Sequence, residues 1–430
     1  MAAAMIFRAA WVWDGLSASP IADGFVLVDG ERVAAVGRWA EVEDSTSPGA
    51  AWDGVPVVDC GDDATLLPGL VNAHVHLSLS GSSHVLDDYL AERDAGVEVL
   101  KARAAANLRA AASAGTTTVR DCGTLNEIAF AVRAEVDAGE IIGPRVVTSG
   151  AGLTTPGGHC HFFCHEVDAH EELRAAVAEQ AQSGADFIKI FATGGNLTPG
   201  TDPFASQYDV EQIRVVVEAA HDAGLLVAAH AHAPEGIARA VDAGVDTIEH
   251  CTFDTDERVA YDPSLVDRIS KSGIVVCPTV TGRRPLPPEE MERLMAENPV
   301  ARRMLPRMAE IRENAHRMFD AGVVLIGGND AGGIPNSTFA DYPRAVATMA
   351  DTGLCPVGLT PVDALRASTS LAARACGLAD TGRLAPGLRA DLLAVDGNPF
   401  EQISALEHVK LVLCGGRTAS DPTGLVTTTG

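Results

Sequence analysis

The sequence predicts an α/β protein: a (β/α)8 TIM barrel with a small β-sandwich domain that both termini form jointly. Three observations predict it. In the middle of the chain, short β-branched apolar runs alternate with Ala-rich amphipathic stretches. Many of those stretches end in a glycine just before the next run, and both chain ends contain only short apolar runs separated by turn residues. Because parallel strands need helical crossovers whereas antiparallel strands are joined by tight turns, the two patterns indicate two domains.

Eight strands are predicted for the barrel. The stretch 171–182 between two of them is amphipathic, and Gly184 after it fits the left-handed residue that ends a helix. No GxGxxG motif opens a helix after a strand, which counts against an open doubly wound sheet. The predicted strands are 70–76, 116–120, 145–148, 187–192, 225–230, 247–250, 274–279 and 323–328.

The two ends of the chain read as a separate β domain. Residues 25–28 and 33–36 flank a turn at Asp29-Gly30, which predicts a hairpin. Residues 389–395 and 409–413 are short apolar runs of the same kind. We therefore expect three segments: 1–66 for the N-terminal part of the β-sandwich, 67–376 for the barrel and 377–430 for the C-terminal part.

Composition limits the partners and the compartment. With 32 basic and 58 acidic residues the formal charge is −26, which argues against nucleic acid and anionic membranes as partners and leaves a small-molecule substrate. Nine scattered cysteines in a long chain do not resemble a disulfide-stapled secreted domain. The N-terminus is too short and too interrupted by charge for a signal peptide, and no apolar run is long enough to cross a membrane. We expect a cytoplasmic protein.

Potential metal ligands fall at the carboxyl ends of the predicted strands, where barrel active sites lie. His74 and His76 close the first strand, and alternate residues of a strand face one side, so both imidazoles can reach one ion. His230 ends the fifth strand, His250 ends the sixth, and Asp330 follows the eighth. A single buried histidine is commonly structural, whereas a buried carboxylate needs a partner or an ion. Together these five residues predict a metal site.

Lys189 is the most informative residue of this set because it lies inside the apolar run Phe187–Phe191. The chain has only four lysines against 28 arginines, so a lysine here indicates a need for a primary amine. One explanation is an ion pair with Asp121 at the end of the second strand. The explanation we favour is carboxylation: a buried lysine can lose its proton and add CO2, and the resulting carbamate can bridge two divalent ions.

The order of these residues, HxH after strand one, Lys on strand four, His after five and six and Asp after eight, resembles the amidohydrolase superfamily over nearly the whole chain. Residues 381–392 are similar to the stretch by which that superfamily enters its β-sandwich. The motifs Val119-Arg120-Asp121, Gly157-Gly158-His159 and 187–195 resemble the branch that contains Xaa-Pro dipeptidase-like, lysine- and arginine-carboxypeptidase-like and imidazolonepropionase-like proteins. Peptidases of that branch often carry a Tyr two residues after the fifth-strand His, and here that position is His232.

The resemblance implies a metal-dependent hydrolase that cleaves a C–N bond in a small amide, cyclic amide, dipeptide or carbamate. It implies two divalent metal ions, zinc being the metal that best fits mixed nitrogen and oxygen ligands. A metal-bridging hydroxide would attack the carbonyl, with Asp330 as general base and then general acid. Relatives often assemble, so we expect a homo-oligomer. The implied ligands are His74, His76 and Asp330 for one ion and His230 and His250 for the other, with N6-carboxylated Lys189 between them.

The loop after the third strand, residues 154–161, is a further candidate region. It could bring His159 or His161 over the metals to stabilise a developing oxyanion. We expect His159 to be catalytic, and His161 and His232 to bind substrate. Two other readings stay open: a flexible surface loop, or a separate structural zinc site made by His159, Cys160, His161, Cys164 and His165.

Two further segments are expected near the barrel mouth. Residues 196–202 are predicted to form the edge of a lid, and the segment from Arg283 to Pro288, with the helical stretch after it, is predicted to be an insertion over the mouth. Arg283 or Arg284 could meet a substrate carboxylate, although solvated surface charge is the simpler explanation for both.

Two other functions remain open. One is a mononuclear-metal deaminase of the same fold, but deaminases of the superfamily lack a ligating lysine on strand four. The other is a non-catalytic scaffold, but such relatives typically lose metal ligands, and none of the six is missing here.

Overall fold

The computed structural model describes residues 4–45, 52–282, 287–350 and 357–426, so Arg283 and Arg284 lie outside the described residues. The described strands are β1 Met5–Val12, β2 Ile21–Asp29, β3 Arg32–Arg38, β4 Val57–Asp59, β5 Ala64–Pro68, β6 Leu70–Val75, β7 Thr116–Asp121, β8 Arg145–Thr148, β9 Leu153–Thr154, β10 His165–Glu166, β11 Phe187–Phe191, β12 Leu226–Ala231, β13 Thr247–His250, β14 Val275–Cys277, β15 Leu392–Asp396, β16 Val409–Cys414 and β17 Arg417–Ser420. The described helices are α1 Trp39–Ser45, α2 Val85–Ala95, α3 Val97–Ser113, α4 Asn126–Ala138, α5 His170–Ser183, α6 Val210–Asp222, α7 Pro234–Ala243, α8 Pro263–Ser272, α9 Pro288–Glu297, α10 Pro299–Asp320, α11 Tyr342–Met349, α12 Pro361–Ala367 and α13 Ser370–Ala375.

The two ends of the chain form one small β domain. Its sheet has the order β17-β16-β15-β5-β1-β2-β3, with β4 beside β1. The terminal segments meet where β5 pairs antiparallel with β15, for example Leu66 opposite Ala394. The predicted hairpin is β2–β3, and Gly30 takes the positive φ of 58° that its tight turn requires. The joint β domain is therefore confirmed, while its exact boundaries stay a prediction.

Glycine ends many of the helices between the barrel strands, as the sequence predicted. α4, α5, α7 and α8 each end at a glycine in the left-handed conformation, where any other residue would be strained. At the other end of α6, Asp209 and Gln212 form a reciprocal capping box. No helix in the described ranges is both long enough and apolar enough to cross a bilayer.

The middle of the chain forms the parallel strands of a (β/α)8 barrel. One sheet has the order β6-β7-β8, and a second contains β11-β12-β13-β14 preceded by β10 and β9. The third and fourth barrel strands, β8 and β11, are linked where Asp186 N donates to Thr148 O at 2.9 Å. The strands are buried on both faces, as β11 is throughout, which fits a parallel sheet covered by helices.

The eighth barrel segment differs from the prediction of a regular strand over 323–328. It lies between β14 and β6, but only single bridges mark it: Leu325 pairs with Val276, and Ala331 with Val75. Gly327 explains the irregularity, because its N–H donates to Ala367 O at 2.8 Å instead of to a neighbouring barrel strand. Its carbonyl accepts from Ala73 N at 2.9 Å, so the segment still connects the seventh barrel strand to the first.

Candidate metal centre

Titratable side chains from several barrel strands converge at one end of the barrel, and all of them are buried. Nε2 of His74 and Nε2 of His76 lie 3.7 Å and 3.5 Å from the same oxygen of Asp330. The ring of His250 lies 5.0 Å from that of His74 and 4.5 Å from that of His230, measured between centroids. We call these five residues, with Lys189 of β11, the central cluster.

The four predicted histidine ligands each have one ring nitrogen held by a neighbour. Metal-binding histidines are commonly oriented in this way, because a bond to one nitrogen fixes the ring and leaves the other nitrogen to coordinate. The nitrogens left over are Nε2 of His74, His76 and His250 and Nδ1 of His230. The contacts are His74 Nδ1–Glu249 Oε2 at 2.7 Å, His76 Nδ1–Gly123 O at 3.0 Å, His230 Nε2–Gly194 O at 3.1 Å and His250 Nδ1–Thr279 Oγ1 at 2.8 Å.

Two charged atoms of the central cluster are buried without a hydrogen-bond partner: Nζ of Lys189 and Oδ1 of Asp330. The alternative ion pair between Lys189 and Asp121 is wrong. The Asp121 carboxylate instead accepts from Leu77 N at 3.0 Å, Thr124 Oγ1 at 3.1 Å and Thr148 Oγ1 at 2.8 Å. Burying an unpartnered amine and carboxylate is unfavourable, so both atoms fit a site completed by a further group.

The backbone at the strand ends is strained. His250, Thr279 and Asp330 have φ values of 69°, 48° and 50°, in the left-handed region that residues other than glycine rarely adopt. Such strain persists only where the surroundings impose it, and it is concentrated at functional sites. Two of these three residues are predicted ligands, and the third, Thr279, carries the hydroxyl that contacts His250 Nδ1.

Burial makes five histidines of this region weak bases, whereas at His74 the neighbouring Cys122 and Asp330 outweigh burial and raise the pKa. It lowers the pKa of His76 and of His232 to about 4, with Asp330 partly opposing the effect in both. It also holds the pKa values of His159, His230 and His250 well below their usual range, aided by the neighbouring imidazoles. Near neutral pH these rings are neutral, which is the form that coordinates a metal ion.

Glu249 belongs to this region although the sequence analysis did not identify it. Its carboxylate is completely buried and contacts His74 Nδ1, Arg120 Nη2 at 2.6 Å and Thr247 Oγ1 at 2.8 Å. Despite its burial, the positive charge of Arg120 and the bond to His74 hold the pKa of Glu249 well below its usual range. The signal was available: like Lys189, Glu249 is a charged residue inside a short buried strand.

His232 lies directly against the predicted metal ligands His230 and His250. Its ring stacks on that of His250 at 4.7 Å, and its Nδ1 is 3.1 Å from Thr252 Oγ1. One nitrogen each from His230, His232 and His250 lie within 4.8 Å of one another, as do single ligand atoms of His74, His250 and Asp330. The described side chains thus offer two overlapping groups able to hold ions. A third such group joins His74 and Glu249 to Cys277.

The loop after the third strand brings one of its two candidate histidines to the site. His159 is buried with its ring 4.8 Å from that of His230, and its Nδ1 has no hydrogen-bond partner. His161 is exposed and contacts the ring of Phe162, so the structure does not bring it to the central cluster. Among the described residues, no three of the loop's histidine and cysteine side chains come together as a separate zinc site.

Comparison with known proteins agrees with this architecture. The family model described as "Amidohydrolase family" matches residues 65–419. Ochratoxinase of Aspergillus niger is 29% identical over 377 residues, which cover 81% of this chain and 73% of that protein. Imidazolonepropionase of Streptomyces griseus is 26% identical over 416 residues, covering 91% and 90%.

Solved structures give the same result. A Xaa-Pro dipeptidase with methionine bound in its active site superposes with a TM-score of 0.80 at 27% identity, covering 97% of this chain and 99% of that one. The predicted resemblance to the branch with dipeptidase-like and imidazolonepropionase-like proteins is confirmed. Since the family match extends over most of the 430 residues, the chain belongs to the amidohydrolase family.

Proposed function

We propose that this protein is a metal-dependent hydrolase that cleaves a C–N bond in a small amide, cyclic amide, dipeptide or carbamate. One observation carries the proposal. Four buried histidines have one ring nitrogen held and the other free, around an amine and a carboxylate oxygen without partners. The names of the relatives, a dipeptidase among them, support a hydrolytic reaction.

The residues fit two divalent ions, with zinc the best match to the nitrogen and oxygen ligands. Carboxylated Lys189 would bridge them, because carboxylation turns its unpartnered amine into an anionic group with two oxygens. Bound divalent ions lower the pKa of water into the neutral range and so supply hydroxide. The proposed ligands are Nε2 of His74, Nε2 of His76 and Asp330 for one ion, and Nδ1 of His230 and Nε2 of His250 for the other.

The chain's own residues would handle the proton and the developing charge. Asp330 has a carboxylate oxygen without a hydrogen bond, so it can accept the water proton and deliver it to the leaving nitrogen. His159 is neutral near pH 7 because burial lowers its pKa, and its unpartnered Nδ1 can donate to the carbonyl oxygen as charge develops there. His232, whose ring stacks on that of His250, would contact another part of the substrate.

A screen of the zinc-loaded enzyme tests this function. Dipeptides, N-acyl amino acids, lactams and aryl carbamates are assayed for product release before and after metal removal, and metal content is measured per chain. We expect metal-dependent hydrolysis with about two ions per chain. One ion per chain would favour the mononuclear deaminase, and no turnover of any compound would favour the scaffold. Light scattering and cell fractionation test the homo-oligomer and the cytoplasmic location that we propose with it.

A further inference from the structure

A further buried polar group without a partner lies on α10, the second helix after the seventh barrel strand. Nη2 of Arg303 donates to Oδ1 of Asn196, in the loop after the fourth strand. The guanidinium carbon lies 4.9 Å from the ring centroid of Phe204. Nε of Arg303 is buried and has no hydrogen-bond partner. The guanidinium is therefore held on one side, while its Nε–H lacks an acceptor.

Three consecutive residues connect this guanidinium to the central cluster. Gly194 O contacts His230 Nε2 at 3.1 Å. A side chain at Gly195 would place its Cβ only 2.2 Å from His159 Nε2, so His159 packs directly on this glycine. Asn196, which binds Arg303, comes next. Since adjacent Cα atoms are about 3.8 Å apart, Asn196 Cα is at most about 7.6 Å from Gly194 Cα. The guanidinium of Arg303 is therefore bound to the residue that follows Gly194 and Gly195, which themselves touch His230 and His159.

Arg307 lies one turn after Arg303 on α10, and its partners differ from those of Arg303. Arg307 Nη1 lies 2.5 Å from Asp254 Oδ1 and 2.6 Å from Thr255 O, and its Nη2 lies 2.8 Å from Asp256 O. No described carboxylate lies within ion-pair distance of Arg303, in a chain with 26 more acidic than basic residues. Two arginines of one helix thus differ: one is neutralised by the protein, and the other is not.

We propose that Arg303, positioned by Asn196 and Phe204, binds a carboxylate of the substrate. The substrates would then be N-acyl amino acids, dipeptides and related amides with a free carboxylate. This inference rests on the proposed hydrolytic function. A guanidinium presents parallel N–H donors that match the two oxygens of a carboxylate, and such charge-assisted pairs are stronger than neutral hydrogen bonds. The carboxylate would supply the acceptor that Nε lacks and would orient the amide toward Asp330 and His159.

Paired substrates test the proposal. Acetate release is measured for a panel of N-acetyl amino acids and for the matching N-acetyl amino acid amides, which contain the same scissile bond without the charge. We expect the wild-type enzyme to prefer the acids. Arg303→Gln is expected to raise KM for the acids roughly 10- to 100-fold, the effect of losing hydrogen bonds to a charged group, and to leave the amides unchanged. Arg303→Lys keeps the positive charge but lacks the parallel N–H donors of a guanidinium. Its KM for the acids is expected to lie between those of the wild type and Arg303→Gln.

Arg302→Gln is the matched control, because Arg302 is the neighbouring arginine, is exposed and binds only backbone carbonyls of residues 295 and 296. It should keep the preference for acids. Equal KM changes for acids and amides in Arg303→Gln would overturn the proposal, as would equal hydrolysis of both classes by the wild type. Failure to hydrolyse any amide would instead contradict the proposed function. If Arg303→Gln does not fold, the Arg303→Lys comparison decides the question alone.

Discussion

Replacing Glu249 by Gln gives the sharpest test of how the candidate metal centre is supported. The substitution keeps the size of the side chain and removes its negative charge. In the structure that charge contacts His74 Nδ1 at 2.7 Å and Arg120 Nη2 at 2.6 Å, with no solvent access to Glu249. Arg120 would lose its ion pair while remaining buried, and His74 would lose the group that fixes its ring. The change should therefore affect both stability and metal affinity.

The size of both effects follows from these contacts. Breaking a buried ion pair from one side costs about 3–5 kcal/mol, because the remaining charge stays buried. Given the usual unfolding entropy per residue, a loss of about 4 kcal/mol in the free energy of unfolding lowers the Tm of a 430-residue chain by about 4 °C. Loss of the group that orients a metal-binding histidine typically lowers metal affinity 10- to 100-fold. We expect Glu249→Gln to show both the lower Tm and the lower metal affinity.

The assays separate the two effects. Thermal unfolding of the metal-free protein measures stability, and competition with a chromophoric chelator measures zinc affinity. Glu218→Gln is the control. Glu218 is exposed, and its ion pair with Arg174 is long at 3.7 Å, so little change is expected in either assay. If Glu249→Gln matched the wild type in both assays, the inference that Glu249 supports His74 would be wrong. A fall in Tm with unchanged zinc affinity would assign Glu249 to the fold alone.

Three other results are expected. Lys189→Arg keeps the positive charge but cannot be carboxylated, so the variant should bind fewer than two ions per chain by elemental analysis and lose activity; full retention of both would refute the carbamate. Asp330→Asn should lower kcat about 10²- to 10⁴-fold at saturating zinc, the range for loss of a general acid–base, and an unchanged kcat would exclude that role. Burial lowers the pKa of His76 and His232 to about 4, below the unfolded value of 6.5, so the unfolded chain binds protons first as pH falls. Urea unfolding of the metal-free protein should therefore show that the contribution of these two histidines to stability is complete above about pH 6.5 and falls toward pH 4, by at most about 3 kcal/mol per histidine.

The fold was largely predictable because its signals are local. Apolar runs and helix-ending glycines gave the positions of the barrel strands, and Asp29-Gly30 gave the hairpin at the N-terminus. The eighth strand was predicted as regular because 323–328 is apolar. Its backbone donor at Gly327 is used by Ala367, forty residues later. No pattern within one segment carries that information, so the irregularity could not be predicted.

The candidate site was predictable only in part, because a barrel brings strand ends together but leaves loops undetermined. The residues of the central cluster are fixed by strand position, and all of them converge. His159 and His161 are two residues apart in one loop, and nothing local distinguishes the buried ring of His159 from the exposed ring of His161. Arg303 was missed for a similar reason: its relation to Asn196 joins elements more than a hundred residues apart.

Charge and burial alone do not distinguish Lys189 from Glu249, whereas their hydrogen-bond partners do. Lys189 and Glu249 are both charged residues inside buried strands, and the sequence gives no reason to treat them differently. The carboxylate of Glu249 has three partners from its own protein, whereas the amine of Lys189 has none. Arg307 and Arg303 differ in the same way on α10. Since an unsatisfied buried polar group is costly, we propose one explanation for Lys189 and Arg303: each meets a group that the chain itself does not provide, a carboxyl group that binds metal ions for Lys189 and a substrate carboxylate for Arg303.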